Sequence, residues 1–411
     1  MATPINAAAV GALADEPLDW RFKGLPASWS DRTPADVCGE SPGLFDDGAV
    51  GPICVLSADA LSHNLATMAQ WCAERGVELA PHGKTHMSPQ LLLRQFEAGA
   101  CAVTAATISQ VRIFRAFGVR DVVLANELVD RAALRWLAAE LDADADFTLV
   151  CWVDSMRGVE VMTSTLTAAG AVRPVDVCIE VGMAGGRTGS RGSDTLDEVA
   201  RAVAASPRLR LVGVAGYEAA LGHDLSHDAV AVVRSYLAEV RAAVLRLAPI
   251  VETDRVIATA GGSTYFDEVA DALTGWPADV RVRTILRSGC YLTHDDGLYR
   301  RTSPLRDGLR PALRVWSQVV SRPEPDLAIL TMGRRDVSFD QDLPVPYGLT
   351  AARVVKLNDQ HAYLRLGGDR VEVADWLEFG ISHPCTVFDK WPMIPVLDGH
   401  GRVVDLIRTF F

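Results

Sequence analysis

The sequence predicts an α/β protein: a closed (β/α)8 barrel of the TIM type followed by a C-terminal antiparallel β domain. Three observations predict it. From Val77 to Leu286, eight short apolar runs alternate with amphipathic helical patterns, the signature of parallel strands with crossover helices. After about Tyr291 that alternation gives way to short strand-like pieces between Pro, Gly and Asp turns, which is antiparallel character. The chain has 411 residues, long enough for a large barrel and an appendage. The expected limits are an N-terminal arm at 1–50 that joins the β domain, a barrel at 51–294 and the β domain at 295–411.

The arm is rich in Pro, Gly and Asp, with Trp20, Trp29 and Phe45 as expected anchors. A short strand, Pro52–Leu56, leads to a helix opened by Asp59, with Leu61, Leu65 and Met68 at helical spacing. The eight barrel strands are expected near Val77–Ala80, Cys101–Thr104, Asp121–Ala125, Phe147–Val153, Val175–Val181, Leu209–Ala215, Val256–Ala260 and Val280–Leu286. Helical patterns between them include Ile108–Phe117, Arg131–Glu140, Leu196–Ala205 and Ala229–Leu247. No GxGxxG follows the first strand, which counts against a dinucleotide-binding open sheet, the alternative architecture. Beyond the barrel, Leu313–Val320, Asp326–Thr331, Arg353–Lys356, Ala362–Leu366 and Val403–Arg408 read as strands.

Composition excludes several functions. Apolar residues make up 49% and charged residues 22%, a globular balance. A net charge of -12 disfavours nucleic acid and anionic membranes as partners. No apolar run is long enough to cross a bilayer, and residues 1–20 lack the pattern of a signal peptide. The eight cysteines are scattered without a CxxC. Cys54, Cys151 and Cys178 lie in strand-like runs and read as small buried hydrophobes. A reducing, cytoplasmic setting is expected.

Chemistry in this fold gathers at the C-terminal ends of the strands. Lys84 follows the first, inside Pro81-His82-Gly83-Lys84-Thr85-His86-Met87. A lysine in that setting suits a Schiff base with a carbonyl cofactor. It also fits a turn lysine beside two solvated histidines, since flanking charge and burial decide its pKa. Asn126 follows the third strand, Asp154 the fourth, and Gly182-Met183-Ala184-Gly185-Gly186-Arg187 the fifth. Tyr217 and His223 follow the sixth, Gly261-Gly262-Ser263-Thr264 the seventh, and Gly289-Cys290-Tyr291 the eighth. Glycine lets backbone N–H groups surround an anion, and the loops after strands seven and eight are the usual phosphate site of the fold. A phosphate site facing a strand-end lysine points to pyridoxal phosphate. Arg187 then suits a cofactor oxygen or a substrate carboxylate, and Tyr217 the pyridine ring. A loop arginine and a packing tyrosine are the plainer readings.

In the C-terminal domain, Gly380-Ile381-Ser382-His383-Pro384-Cys385 contains an imidazole and a thiol two residues apart. In an extended chain both face one side, and together they suit zinc with room for water and substrate. A pair alone is a weak signal.

With these motifs in hand, the chain resembles the D-serine dehydratase/D-threonine aldolase family of fold-type III pyridoxal-phosphate enzymes. The resemblance covers roughly residues 50–395. It is most specific in PHGKTH and in GISHPCTVFDKW. It departs at Ala80, where many members carry arginine, and at Met87, where lysine is frequent. The resemblance implies a homodimer whose barrel carries pyridoxal phosphate and whose β domain carries a divalent metal, zinc or manganese. Lys84 would be the Schiff-base lysine and the Cα base. Gly261, Gly262, Ser263, Gly289, Cys290 and Tyr291 would hold the phosphate, Arg187 and Tyr217 would contact the ring, and His383 and Cys385 would ligate the metal.

The implied activity is dehydration of a D-3-hydroxy amino acid, of the D-serine or D-phenylserine type, to a 2-oxo acid and ammonia. His223 matches the spacing of a base in the aldolases, which keeps retro-aldol cleavage to glycine and an aldehyde open. Cys385 favours dehydration, because aldolases tend to carry aspartate at that ligand. An amino-acid racemase or a non-catalytic pyridoxal-phosphate carrier would need no metal pair.

Overall fold

The computed structural model describes residues 4–411, so the first three residues of the expected arm lie outside the described residues. The chain forms two compact units. One comprises Ala69–Lys84 and Gln95–Gly289, with the described N-terminal residues up to Asn6; the other comprises Ala7–Met68, Thr85–Arg94 and Cys290–Phe411. These limits differ from the contiguous 51–294 and 295–411 expected, because two early segments fold with the C-terminal part.

Strand β1 (Ile53–Ser57) belongs to the second unit. The first unit holds β2 (Glu78–Leu79), β3 (Val103–Ala105), β4 (Asp121–Glu127), β5 (Thr148–Val153), β6 (Val175–Val181), β7 (Leu209–Gly216), β8 (Val256–Ala260) and β9 (Val282–Leu286). All pair in parallel, in the order β2-β9-β8-β7-β6-β5-β4-β3. Closure runs through a parallel bridge between His82 and Thr104, with Cys101 N–H to Leu79 O at 2.8 Å and Thr104 N–H to Pro81 O at 2.9 Å. The eight expected strands are therefore those of the barrel.

In a closed barrel helices cover the outer face of the strands and packed side chains the inner face, so the strands read as continuous apolar runs; six of the seven residues of β6 are buried. Helix starts are fixed locally. Asp130 caps Arg131–Ala143 by accepting from Ala132 and Ala133, and Ser155 caps Met156–Ala168. Inside the barrel, Ala80, Ala102, Val123, Trp152, Cys178, Val212 and Ile285 pack together.

The second unit is a nine-stranded sheet. To β1 it adds β10 (Leu313–Glu324), β11 (Leu327–Leu330), β12 (Val345–Pro346), β13 (Arg353–Leu357), β14 (Ala362–Arg365), β15 (Trp376–Gly380), β16 (Met393–Leu397) and β17 (Val403–Arg408). Its pairings are antiparallel except one: β1 runs parallel to β16, with Leu56 opposite Val396. The arm packs on this sheet through Leu18, Phe22, Trp29 and Leu44, and Phe45 lies tilted against Trp316 at 5.0 Å and edge-on to Trp376 at 5.1 Å. Trp20 is not an anchor; it is 90% exposed. Among the described residues no helix is long and apolar enough to cross a membrane.

Candidate active site

Residues two apart along a strand face the same side. His82 stands two beyond Ala80, Glu127 two beyond Ala125, Glu180 two beyond Cys178 and Arg287 two beyond Ile285. Each of the earlier residues belongs to or packs on the barrel interior. The four polar side chains thus form the next layer, at the strands' C-terminal end.

Lys84 sits in the 3-10 turn Gly83–Thr85, just past the closing bridge at His82. Gly83 is required there, since a Cβ would run into the Phe114 ring and come within 2.9 Å of Val103. The chain has four lysines. Lys23 pairs with Asp336, Lys390 bonds Asp389, and Lys356 lies over the Tyr363 ring. Lys84 is the one lysine of the barrel unit, and its ammonium is exposed with no hydrogen bond or ion pair among the described residues. The neighbouring His82 Nδ1 is buried without a partner. Burial, and then the charges of Lys84, Arg287 and Arg187, hold that imidazole well below its usual pKa.

Arg187 lies with its guanidinium 4.9 Å from the centre of the Tyr217 ring. Both line a small cleft that also includes Glu180, Met183 and Tyr236. Tyr236 fixes this wall: its hydroxyl accepts from Tyr217 N–H at 2.8 Å and donates to Val181 O at 2.7 Å.

Arg287 and two glutamates were not anticipated. The Arg287 guanidinium is buried over the Trp152 ring and donates to Thr259 Oγ1 at 2.6 Å and Gly216 O at 2.7 Å. Burial lowers its pKa, against the pull of Glu218 and Glu180; an arginine so placed stays charged. Burial, and the adjacent Glu180 carboxyl, push Glu127 up to about 8. A hydrogen bond between the two carboxyl groups contributes to that shift.

The glycine loop after β8 holds an anion, but one of the chain's own. Gly261 N–H and Gly262 N–H donate to the two oxygens of the buried Glu218 carboxylate, at 2.9 and 2.6 Å. Gly261 has φ +96°, and a Cβ there would lie 2.7 Å from Leu286; at Gly262 it would crowd Tyr217 at 3.2 Å. Ser288 Oγ donates to Gly262 O at 2.7 Å, which ties this loop to the one after β9. Gly289 closes the barrel unit, and Cys290, Tyr291 and Leu292 form a buried 3-10 turn of the second unit. Ser263 follows the glycines, partly buried. His223 bonds Thr264 Oγ1 through Nδ1 at 2.7 Å. Asn126 and Asp154 brace loops, with bonds to Ala106 O and Gly189 N–H.

The second unit brings together His383, Cys385, Asp340, Asp295, Cys290 and Thr85. His383 and Cys385 are not aligned by an extended chain as expected. His383 has φ +60° and Pro384 is helical, so a turn sets the pair. Asp295 holds that turn. Its Oδ2 accepts from His383 N–H at 2.9 Å, and its Oδ1 accepts from Gly297 and Tyr299 N–H. Burial pushes Asp295 up to about 6 against these bonds. Asp340 Oδ2 stands 2.5 Å from His383 Nδ1; a carboxylate only accepts, so Nδ1 carries the proton and Nε2 is the nitrogen left for a metal. Burial opposes the charged ring, yet Cys385 and Asp340 raise His383 to about 9. Cys385 is pulled down by hydrogen bonding from Cys290 and then by His383, and Cys290 is pushed up by the same bond. Thr85 Oγ1 lies 3.3 Å from Cys385 Sγ. Among the described residues no group of three His, Cys, Asp or Glu is arranged to hold a metal.

These side chains fit both groups the sequence implies. His82 presents an unpartnered buried nitrogen beside Lys84, and the donor set of His383 and Cys385 is nitrogen and sulfur, whereas the Gly261 and Gly262 amides are taken by Glu218.

Two family models match the chain: the alanine racemase N-terminal domain over residues 56–296, and the D-ser_dehydrat serine dehydratase domain over residues 312–397. The 3-hydroxy-D-aspartate aldolase of Paracoccus denitrificans (strain Pd 1222) is 26% identical over 360 residues, which is 85% of this chain and 89% of that one. The D-threo-3-hydroxyaspartate dehydratase of Delftia sp. (strain HT23) is 28% identical over 144 residues, 35% of this chain and 37% of its own. The crystal structure of D-threonine aldolase from Filomicrobium marinum superimposes with a TM-score of 0.76 at 25% identity, covering 88% of this chain and 95% of that one.

Proposed function

Because the chain belongs to the family of the alanine racemase N-terminal domain, we propose that it is a pyridoxal-phosphate- and divalent-metal-dependent dehydratase of a D-3-hydroxy amino acid. D-Serine or D-phenylserine suits it as substrate, with a 2-oxo acid and ammonia as products. Lyases of D-3-hydroxy amino acids among the relatives support the broader class. The single observation that carries the dehydratase reading is the imidazole–thiol pair of His383 and Cys385, with Asp340 behind the ring.

Pyridoxal phosphate, when bound, supplies an electron sink for charge developing at the substrate Cα. Lys84 would hold it, and the lysine amine, which has no hydrogen bond or ion pair among the described residues, would take the Cα proton. Arg187, steadied on Tyr217, offers a guanidinium edge to a carboxylate or a cofactor oxygen. Arg287 and Glu180 set the charge of the barrel floor. His383 and Cys385 would hold the divalent ion, whose chemistry is to polarise an oxygen such as a β-hydroxyl and ease its departure.

Retro-aldol cleavage is the second reading. It is favoured by His223, a histidine in the loop after β7 whose Nδ1 is held by Thr264, and by the aldolase relatives that match most of the chain. The test is product analysis. Purified protein is incubated with D-serine, D-threonine and D-phenylserine, with and without a chelator. Ammonia with a 2-oxo acid, lost on chelation, supports dehydration; glycine with an aldehyde overturns it.

A further inference from the structure

The sulfurs of Cys290 and Cys385 stand 3.4 Å apart. They come from segments 95 residues apart in sequence, the turn Cys290–Leu292 and the short helix Cys385–Phe388, both within the second unit. Cys290 is buried with Leu298 and Tyr299, and Cys385 packs against that cluster while staying partly exposed. Disulfide sulfurs lie about 2.05 Å apart, so the two must approach by about 1.4 Å. The short helix that carries Cys385 is irregular, with Thr386 at φ -104° and ψ 21°, and it follows a left-handed residue.

We propose that Cys290 and Cys385 form a site of reversible covalent modification: a hydroperoxide joins them as a disulfide in the metal-free chain, and this disulfide and a metal at Cys385 exclude each other. The exclusion rests on the reading of Cys385 as a metal ligand; the disulfide does not. In the reaction two S–H bonds and the peroxide O–O bond break, and one S–S bond forms. The two sulfurs lose two electrons, the peroxide gains them, and the two protons leave on its oxygens, as two waters when the oxidant is hydrogen peroxide. A sulfur in a disulfide has no thiolate left to ligate a metal. Conversely, a bound metal occupies the electron pair with which Cys385 would attack. The other buried thiols compete poorly, since burial pushes those of Cys54, Cys72, Cys151 and Cys178 up.

The test uses the full-length chain stripped of metal with a chelator, and the same chain reloaded with zinc. Each is treated with hydrogen peroxide, alkylated, and examined by thiol titration and peptide mass. In the stripped chain the eight free thiols are expected to fall by two. The expected cross-linked peptide pairs Cys290 with Cys385, and dithiothreitol restores both thiols. The zinc-loaded chain is expected to cross-link at least tenfold more slowly, and the oxidised chain to take up no zinc until reduced. Cys290→Ser is expected to give no cross-link and to keep binding zinc after peroxide treatment and reduction. Two separately alkylated cysteines in the stripped chain overturn the disulfide and leave the metal reading intact. A cross-link that forms equally fast with one zinc bound overturns the exclusion. Failure of the reduced chain to bind zinc at all overturns the metal reading, and with it the exclusion, while the disulfide stands.

Discussion

Asp340 Oδ2 stands 2.5 Å from His383 Nδ1, and Asp340 Oδ1 accepts from the Thr386 hydroxyl at 2.8 Å. The carboxylate is therefore held at both oxygens and fixes which imidazole nitrogen faces away from it. Partners of this kind orient a ligand histidine and raise its basicity.

Asp340→Ala is expected to weaken zinc binding by about ten- to a hundredfold, measured by competition with a chromogenic chelator. Asp340→Asn, which can still accept from Nδ1, is expected to lose less. Equal affinity in all three proteins would show that the pair does not bind zinc through His383 as described.

Thr85 would support the other proposed ligand, since its hydroxyl lies 3.3 Å from Cys385 Sγ. Thr85→Val keeps the shape and removes the hydroxyl. It is expected to lower zinc affinity by about tenfold, with Thr85→Ser close to the parent. A Ser variant as weak as the Val variant would assign Thr85 a packing role instead.

Glu127 gives a pH dependence of known sign. In the folded chain it holds its proton up to about 8, whereas its ordinary value is 4.5. The folded state then binds more protons than the unfolded one between those values. The contribution of this group to stability is full below 4.5 and is lost as pH rises through about 8. Burial is the first cause and the hydrogen bond with Glu180 the second, with the charges of Glu180 and Asp154 adding repulsion. Thermal melts across that range are expected to fall less steeply for Glu127→Gln than for the parent. A steeper fall in the variant would contradict the assignment.

The strands were legible because a parallel strand buried on both faces is a plain apolar run, as β6 is. The turn at Lys84 stood out in the sequence because its neighbours are unusual. Arg287, Glu180 and Glu127 were missed, although counting two residues on from an interior Ile285, Cys178 or Ala125 would have found them. Asp340 carried no local signal, since it lies 43 residues from His383. The place of β1 in the second unit depends on partners near Leu313 and Val396, far along the chain. Trp20 shows the limit of composition: an aromatic in a loop-rich arm need not be an anchor, and this one is exposed. The Glu218 carboxylate on the glycine amides also lay beyond the motif, which marks an anion seat without naming its occupant.

Gly261→Ala tests that seat. At φ +96° a side chain is strained whatever the space around it, at a cost of about 1–3 kcal/mol. The variant is expected to unfold at lower denaturant and to bind pyridoxal phosphate at least tenfold more weakly by fluorescence quenching. Unchanged cofactor affinity would remove the loop from the phosphate site.

The central claim is that Lys84 anchors pyridoxal phosphate, and borohydride mapping tests it most directly. The protein is loaded with pyridoxal phosphate, reduced, digested, and the phosphopyridoxyl group located by mass. The account predicts the label on the peptide carrying Lys84, and its absence in Lys84→Ala. A label on Lys23, Lys356 or Lys390, or none on any of the four lysines, would contradict it.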